Sequence, residues 1–429
     1  MKKNLLTLPC VFFLFFSAAA VFADSYGDLS DYLNSVYRPD PNAGLTAFPI
    51  LKIPMGGRSQ GMAGAFSAVA DDVSFLHYNP AASSMLGVTE LAFFHNNWIA
   101  DANVEGAVFT TRYNDMGFGI GLQWLYVPFS EYDVHGEQVS KGYYSEAVPT
   151  LNFSHNFLKS FHFSGISAGA NLKLAFRLNP DFTTADIGYS EDNPITMISG
   201  SGWNQSVLMV MTDLGVLTRF NFLKLDNGRE QNASAALVIR NLGPPAFDDP
   251  LPTEFTAGIS YKPLRPLIVS FDLSFPINLY NASLSEKPYW ALGFAAEVTS
   301  FLSMRTGVQG RAGGARLTLG SSLNFEKVSL DVNYTLDLIT QMQALNRVSL
   351  GLRFNLGDYG RAALNAKVTE MFLLGLAAYS RSDFATARKI WEEVLELDPG
   401  FTPAREGLDV MGRTGETEER ILNMQNLDF

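Results

Sequence analysis

Apolar and polar residues alternate with a period of two through the middle of the chain. In residues 116–126 every even-numbered position, from Met116 to Tyr126, is large and apolar, whereas the odd-numbered positions hold three glycines, a glutamine and a leucine. Successive side chains of a β-strand point to opposite faces, so this pattern predicts strands with one apolar face each. The same alternation recurs in residues 166–176, 290–298, 317–325, 328–336 and 348–356.

The complete pattern predicts fourteen strands, an even number, as single-chain bacterial barrels require. Tight turns at residues 114–115 and 159–160 alternate with long polar loops at 127–146 and 178–205, and the second of these loops is acidic. The predicted strand limits are 88–99, 102–113, 116–126, 147–157, 161–177, 206–220, 233–241, 253–262, 266–279, 289–298, 302–310, 314–325, 327–337 and 346–356.

The length of the strands distinguishes a membrane barrel, whose apolar faces point outward, from a soluble β protein, whose apolar faces point inward. The alternating segments are 9 or 11 residues long, which matches a tilted membrane-spanning strand of roughly 9–11 residues better than a soluble strand of roughly 5–6. The opposite faces carry Lys173, Glu297, Asp331 and Arg353, which suit a wet or plugged lumen. We therefore predict an all-β transmembrane barrel of about fourteen antiparallel strands; a secreted soluble β protein is the alternative.

Composition excludes several other classes of protein. The 429 residues are 47% hydrophobic, 13% aromatic and 17% charged, which is too apolar for a disordered chain. A single cysteine excludes a disulfide scaffold, and a net charge of −12 without a basic stripe argues against a nucleic-acid partner. Beyond the N-terminus there is no apolar run of roughly 20 residues, so the pattern does not predict membrane-spanning helices.

The first 23 residues have the pattern of a secretory signal peptide. Lys2 and Lys3 precede an apolar run at 5–16, and a small residue follows at Ala23. We predict cleavage before Asp24, which also removes the only cysteine of the chain; an uncleaved membrane anchor is the alternative. The chain is therefore expected to be exported, and a barrel then belongs in the outer membrane of the cell.

The segment before the first strand carries a family resemblance. Residues 56–66 read GGRSQGMAGAF, residues 68–72 read AVADD and residues 77–82 read HYNPAA. As a unit, this block resembles the N-terminal hatch of the FadL/TodX-type outer-membrane transporters of hydrophobic compounds, in a spirochaete-type branch. Residues 241–245, NLGPP, resemble a turn of the related PorV-like barrels. The resemblance covers roughly residues 45–356; Ala63, where relatives often have glycine, is a minor departure.

The residue types of this block agree with a plug packed inside a barrel. Its glycines permit tight turns and close packing, and Pro80 restricts the preceding residue to an extended conformation. We expect residues 24–87 to form an N-terminal extension and hatch inside a barrel of residues 88–356; the alternative is a surface-capping turn and helix. The candidate hatch residues are Gly56, Gly57, Arg58, Gly61, Gly64, Asp71, Asp72, Asn79, Pro80 and Ala81.

The resemblance implies uptake of long-chain fatty acids or other hydrophobic compounds through a hatch-gated barrel, without a cofactor. An apolar ligand would land on outer loops, reach a pocket near the hatch and leave by an axial or lateral route when the hatch shifts. Such a ligand needs an apolar path, because each buried methylene is worth about 0.8 kcal/mol. The candidate landing residues, all in the first long loop, are Phe129, Tyr132, Tyr143 and Tyr144.

Residues 362–429 have a different pattern, rich in Ala, Leu, Glu and Lys, with the spacing of a tetratricopeptide-like repeat. One repeat is too few to stand alone, so the helices should pack on themselves, on the barrel rim or on a partner. With an even strand count both termini are expected to be periplasmic. The tail then either docks a periplasmic protein or caps the barrel. Its candidate docking residues are Gly375, Ala387, Trp391 and Pro399.

Motifs of catalysis are absent or out of context, so the sequence does not indicate an enzyme. Residues 165–169 match a G-x-S-x-G pattern, but Ser167 lies inside an alternating strand rather than in a strand-turn-helix elbow. The histidines have no metal-like spacing, and we predict no metal site. The leading hypothesis is FadL-like uptake; the rivals are a PorV-like scaffold for exported proteins and a surface antigen or adhesin.

Overall fold

The computed structural model describes residues 40–425 except 100, 133–134, 161–162, 179–186, 191–192, 198–205, 225–229, 313 and 338–345. The predicted signal peptide therefore lies outside the described residues. Fourteen strands form one closed barrel. They are β1 (Glu90–Asn97), β2 (Asn103–Tyr113), β3 (Met116–Tyr132), β4 (Gln138–Phe157), β5 (Ile166–Leu178), β8 (Val207–Phe220), β9 (Ala233–Leu242), β10 (Glu254–Leu264), β11 (Leu267–Pro276), β12 (Tyr289–Glu297), β13 (Leu302–Arg311), β14 (Gly314–Asn324), β15 (Val328–Asp337) and β16 (Asn346–Asn355). A separate hairpin, β6 (Ile187–Ser190) and β7 (Asn193–Met197), falls between β5 and β8 in the chain.

Every barrel strand pairs antiparallel with its neighbours in the chain, and β1 closes the barrel on β16, with Leu91 opposite Phe354. The predicted all-β barrel of fourteen strands is confirmed. One predicted loop is wrong in extent, because β3 and β4 continue through most of residues 127–146 and stay paired as far as Tyr132 and Gln138. Backbone pairing does not require an apolar face, and the valines and aromatic residues of this segment favour strands.

The apolar faces of the strands point outward, as a membrane barrel requires. On β3, the side chains of Ile120 and Trp124 point outward and are 53% and 44% exposed. The side chain of Gln123 points into the lumen and is 5% exposed. The rings of Trp124 and Tyr126 lie 4.9 Å apart and are tilted by 39°, and Tyr126 meets Tyr143 of β4 edge-on at 6.4 Å. These three rings form an aromatic patch on the outer wall, of the kind found where such barrels meet the membrane interface.

The two ends of the barrel differ in their connections. Residues 90 and 355 lie at one end, together with short turns such as 114–115; we call this the terminal end and the opposite one the long-loop end. Residues 40–89 run through the lumen between the two. At the long-loop end Asp40 accepts a hydrogen bond from the Lys287 amide at 2.6 Å. At the terminal end the Thr89 amide donates to the Gly357 carbonyl at 2.7 Å.

This path alters the expectation that both termini share one side. An even strand count does place residues 90 and 355 together, but the hatch crosses the lumen, so residue 40 lies at the opposite end from the C-terminal tail. The strand count therefore does not fix the side of the chain's first residues. Those residues, 1–39, are outside the described part of the chain.

Four short segments give the hatch its turns. They are a 3-10 turn at Pro49–Lys52, helix α1 (Arg58–Gly61) and helix α2 (Phe75–Tyr78), followed by a second 3-10 turn at Pro80–Met85. The predicted placement of this block inside the barrel agrees with its burial, since Phe48, Phe66 and Phe75 are completely buried. The surface-capping alternative does not fit side chains enclosed by the barrel wall.

The C-terminal tail consists of helices α3 (Arg361–Ser380), α4 (Phe384–Leu397) and α5 (Thr402–Gln425). Trp391 of α4 stacks on Phe372 of α3 at 5.9 Å, and a Cβ at Gly375 would lie only 2.4 Å from its indole nitrogen. Arg361 joins the tail to the barrel by donating to the carbonyls of Arg112 and Gly87 at 2.8 and 2.9 Å. No helix in the described ranges has the length and hydropathy to cross a membrane.

Candidate ligand path inside the barrel

The Asn79-Pro80-Ala81 segment joins the hatch to the barrel wall. The Asn79 side chain accepts from the Ala81 amide at 3.0 Å and donates to the Ser67 carbonyl at 2.8 Å, so it ties two parts of the hatch together. The wall opposite has glycines: a Cβ at Gly169 would lie 2.3 Å from the Pro80 oxygen. Contact this close is possible only because the wall lacks a side chain there.

The candidate glycines of the hatch serve two different purposes. Gly56, Gly57 and Gly64 have φ angles of 131°, 74° and 83°, in the region that favours glycine. Gly61 instead allows a close approach, because a Cβ there would lie 2.7 Å from Asn333 Oδ1 and 3.3 Å from the Gly320 Cα. The sequence therefore identified positions at which the hatch turns or touches the wall.

The predicted charges of the hatch do pair, as part of a buried ionic cluster. Arg58 lies 2.7 Å from Asp71 and 3.6 Å from Asp72, and Asp72 lies 3.4 Å from Arg353 of the wall. Burial acts to raise the pKa of Asp71, but the positive charges of Arg58, Lys262 and Arg219 together outweigh it, so the pKa of this carboxyl lies below its usual value. The ion pair between Asp72 of the hatch and Arg353 of the wall thus links the hatch to β16.

Among the cavities that the described residues enclose, two lie on either side of the hatch. The first, of ≈ 120 Å³, lies toward the long-loop end, between hatch residues such as Gln60 and Tyr78 and the lumenal faces of β9–β16. The second, of ≈ 700 Å³, lies at the terminal end, where Arg58, Lys262 and Arg305 are among its lining residues. Hatch residues line both cavities, so we expect that a ligand could pass along the barrel axis only if the hatch moved.

An apolar cluster occupies part of the lumen near the long-loop end. Five buried hatch side chains, Ala47, Phe48, Ile50, Leu51 and Ile53, pack against the inner wall. Their partners on the barrel are Ala102, Val104, Leu125, Val148, Ala175, Met209, Met211, Ala246 and Leu251. We call this set the upper apolar cluster. It is an apolar pocket occupied by the protein's own side chains, and it is distinct from a second apolar cluster around Phe75 and Phe94.

Polar contacts hold the same hatch segment in place. The Ile50 amide donates to Glu146 Oε2 at 3.1 Å, and Gln123 donates to the carbonyls of Ile50 and Ile53. Phe48 has a φ of 54°, unusual for a residue other than glycine, and its ring lies 4.7 Å below the Arg177 guanidinium. The segment is therefore held by a few specific bonds in a strained conformation, which suits a part that can be released.

The four candidate landing residues do not form one loop groove. They lie in β3 and β4 rather than in a loop, because those strands are longer than predicted. Tyr143 is 62% exposed on the outer wall, whereas Tyr144 turns inward, packs against the upper apolar cluster and donates to Glu146 Oε1. The side chain of Phe129 is outside what the structure describes. Tyr144 is thus the candidate that touches the lumenal path.

The candidate residues of the tail belong to its own packing. Gly375, Ala387 and Trp391 are buried between α3 and α4, while Pro399 is exposed in the turn before α5. Burial between the helices removes the first three from any docking surface. The exposed apolar residues on the tail include leucines of α3, among them Leu373, Leu374 and Leu376.

Sequence reasoning missed most of the buried ion pairs on the wall. Lys173 lies 2.7 Å from Asp213, and Arg305 lies 3.1 Å from Asp331. Further pairs join Arg177 to Glu146, Arg240 to Glu254 and Arg347 to Asp337. The sequence did contain a signal that could have identified such residues: each is a charged residue at a lumen-facing position of an alternating strand.

His77 gives the hatch a pH dependence that can be measured. Burial lowers the pKa of His77 well below its usual value, and the charges of Arg240 and Lys173 add to this effect. The unfolded chain binds a proton near pH 6.5 whereas the folded chain does not, so stability should fall as the pH drops below about 6.5, by at most about 1.4 kcal/mol per pH unit. Urea unfolding between pH 8 and pH 5 measures this slope.

Two variants assign the slope to a residue. His77→Gln should flatten the loss of stability between pH 6.5 and pH 5, because the group that binds the proton in the unfolded chain is removed. His95→Gln changes an exposed histidine on the outer wall and should leave the His77 slope in place. An unchanged slope in His77→Gln would contradict the assignment.

The geometry defines a class before any relative is considered: a closed, fourteen-stranded membrane barrel whose lumen is plugged by its own N-terminal segment. The chain belongs to the uncharacterised protein family UPF0164, whose model matches residues 38–358. It is 27% identical to a UPF0164 protein of Treponema pallidum (strain Nichols), over 94% of this chain and 90% of the relative, and 25% identical to a second, over 84% and 74%.

Two solved structures are also similar to this chain. A TodX monoaromatic hydrocarbon channel deltaS2 mutant has a TM-score of 0.40 at 13% identity, with 67% of this chain and 94% of that chain covered. The Acinetobacter baumannii outer membrane protein Omp33 has a TM-score of 0.36 at 8% identity, with 63% and 98% covered.

Proposed function

We propose that this protein is exported, loses residues 1–23 and acts in the outer membrane as a hatch-gated barrel for the uptake of hydrophobic compounds, long-chain fatty acids among them. The observation that carries the proposal is the upper apolar cluster. Phe48, Ile50, Leu51 and Ile53 of the hatch occupy an apolar pocket at the long-loop end of the lumen. A hydrophobic ligand that enters from this end competes with these side chains for the same surface.

The mechanism follows from this competition. Burying the ligand's methylenes in the pocket, at about 0.8 kcal/mol each, compensates for displacing the segment around Phe48. The displaced segment pulls on the rest of the hatch. The ion pair of Asp72 with Arg353 and the hydrogen bond from the Asn79 side chain to the Val216 carbonyl hold that part to the wall. The charged cluster disfavours an apolar ligand on the axis, so the hatch must shift before the ligand can leave.

Truncating the side chain at the centre of the pocket tests this proposal. Phe48→Ala removes packing that competes with the ligand, so entry of labelled oleate into vesicles that contain the protein and enclose albumin should become several-fold faster. Phe401→Ala is the matched control, since it truncates a buried phenylalanine in the tail and should leave the flux unchanged. If Phe48→Ala lowers stability but leaves flux unchanged, the cluster is ordinary packing and the proposal fails.

One observation favours a second function, that of a scaffold whose tail docks a periplasmic protein. Helix α3 exposes Leu373, Leu374 and Leu376 by 54%, 57% and 45%, an apolar surface that the barrel does not cover. The tail spacing resembles a tetratricopeptide-like repeat, a module that binds other chains. Removing residues 362–429 discriminates between the two: uptake survives the deletion if the barrel acts alone, whereas a scaffold loses its partner.

A further inference from the structure

Two buried arginines and a tryptophan form a group at the edge of the lumenal cavity near the long-loop end. The Arg347 guanidinium lies 3.7 Å from the centre of the Trp98 ring, and Arg316 lies 5.8 Å from the same ring. All three residues line the ≈ 120 Å³ cavity. The side chain of Arg347 is 4% exposed and that of Arg316 is 17% exposed, so both charges are largely removed from water.

The charges in this group do not balance. Arg316 and Arg347 share one carboxylate, Asp337, at 3.4 and 3.0 Å, and the described chain offers neither arginine a second ion-pair partner. The Nε and Nη1 atoms of Arg347 and the Nε atom of Arg316 are buried without a hydrogen-bond partner among the described residues. Around the whole cavity, five cationic side chains face three acidic ones, and Asp337, which pairs with Arg316 and Arg347, is a fourth.

The sequence that joins β15 to β16 adds no further acidic residue after Asp337. Residues 338–345 read LITQMQAL. Two largely buried cations that share one carboxylate leave part of their desolvation cost uncompensated, and buried N–H groups without acceptors add to the cost. An arrangement of this kind is stable when an anion completes it.

We propose that the cavity beside Trp98, Arg316 and Arg347 binds an oxyanion, a carboxylate or phosphate group, that pairs with the two guanidinium groups. Guanidinium presents paired N–H donors that match the oxygens of these anions, and a small turn of either flexible side chain brings them to the cavity. The volume suits a compact anionic group rather than a long chain. Leu51 and Leu251 of the upper apolar cluster also line the cavity, so the anion is either free or the head group of an amphiphile.

The oxyanion site itself does not depend on hydrophobic uptake, whereas the amphiphile as its source rests on the proposed function. Calorimetric titration of the folded, full mature chain distinguishes the sources with three probes: inorganic phosphate, octanoate and octan-1-ol. Phosphate that binds as tightly as octanoate indicates a free anion. Octanoate that binds more tightly than both phosphate and octan-1-ol indicates an amphiphile. Both results support the site.

Variants connect binding to the arginines. Arg347→Gln and Arg316→Gln should each weaken binding of the anionic probes about ten- to a hundredfold, as expected for a lost charge-assisted hydrogen bond. Arg219→Gln is the matched control, because it removes a lumen-facing arginine that bonds to the Met85 carbonyl toward the terminal end, and it should leave binding unchanged.

A stability measurement separates binding from a purely structural role. Without ligand, Arg347→Gln should unfold at the same temperature as the parent or higher, because a surplus charge is removed, while stabilisation by added phosphate or octanoate disappears. The proposal is overturned if neither anion binds the parent protein, or if both arginine variants bind as the parent does. If the parent protein binds phosphate but carries no oleate, the proposed uptake fails while the oxyanion site stands.

Discussion

The double variant Met55→Cys, Gly106→Cys is expected to lose oleate uptake when oxidised and to regain it when reduced. Met55 belongs to the hatch and Gly106 to β2, and a Cβ at Gly106 would lie 3.4 Å from the Met55 Cβ, close to the 3.5–4.5 Å that disulfides have. Gly106 does not have a positive φ, so its backbone accepts a side chain. The bond would fix the hatch to the wall beside the upper apolar cluster.

The expected effect is large because the lumen is closed in this conformation. If uptake requires the hatch to move, the oxidised protein should carry at most about a tenth of the reduced protein's flux, a barrier change of roughly 1.4 kcal/mol or more. Each single cysteine variant is a control for the substitutions alone. The mature chain is expected to contain no other thiol, since Cys10 lies in the predicted signal peptide. Equal flux with and without reductant would mean that ligands pass without hatch movement.

The second large effect is expected at Asp331. This carboxylate is completely buried on β15 and pairs with Arg305 at 3.1 Å and with Arg353 at 2.8 Å. Ser322 also donates to it. Asp331→Ala would leave Arg305 buried without an ion-pair partner among the described residues, while Arg353 would keep Asp72 and Glu90. Removing one partner of a buried ion pair typically costs about 3–5 kcal/mol. Urea unfolding of the refolded protein in lipid vesicles measures the free energy.

An exposed ion pair provides the comparison for this variant. Asp115 accepts from Lys159 at 3.2 Å in a turn at the terminal end, and Asp115→Ala should cost no more than about 1 kcal/mol. A similarly small loss for Asp331→Ala would mean that water screens the cluster, and that the lumen is open rather than plugged.

The strands were predictable because the membrane imposes a period of two on them. The extensions of β3 and β4 were not, since a strand that leaves the bilayer no longer needs an apolar face, and residues 127–146 then look like a polar loop. The direction of the hatch was also missed. The number of strands predicts the end of the barrel at which residue 90 lies. It does not predict the path by which residues 40–89 cross the lumen.

Parts of the candidate site followed from residue type, and others depend on three-dimensional register. The Asn79-Pro80 segment and the hatch glycines could be identified because close packing and positive φ restrict the residues that fit. The partners of Asp331 could not, because Arg305 lies two strands away on β13. Such a pair depends on the stagger between strands, which the alternation of one strand does not specify.

Native mass spectrometry of the gently extracted, folded protein tests the central claim most directly. A hatch-gated barrel for hydrophobic compounds should retain a small apolar or amphiphilic molecule, and deleting residues 56–82 should release it. A barrel that carries no such molecule, and instead retains a periplasmic protein until residues 362–429 are removed, would contradict uptake and support the scaffold.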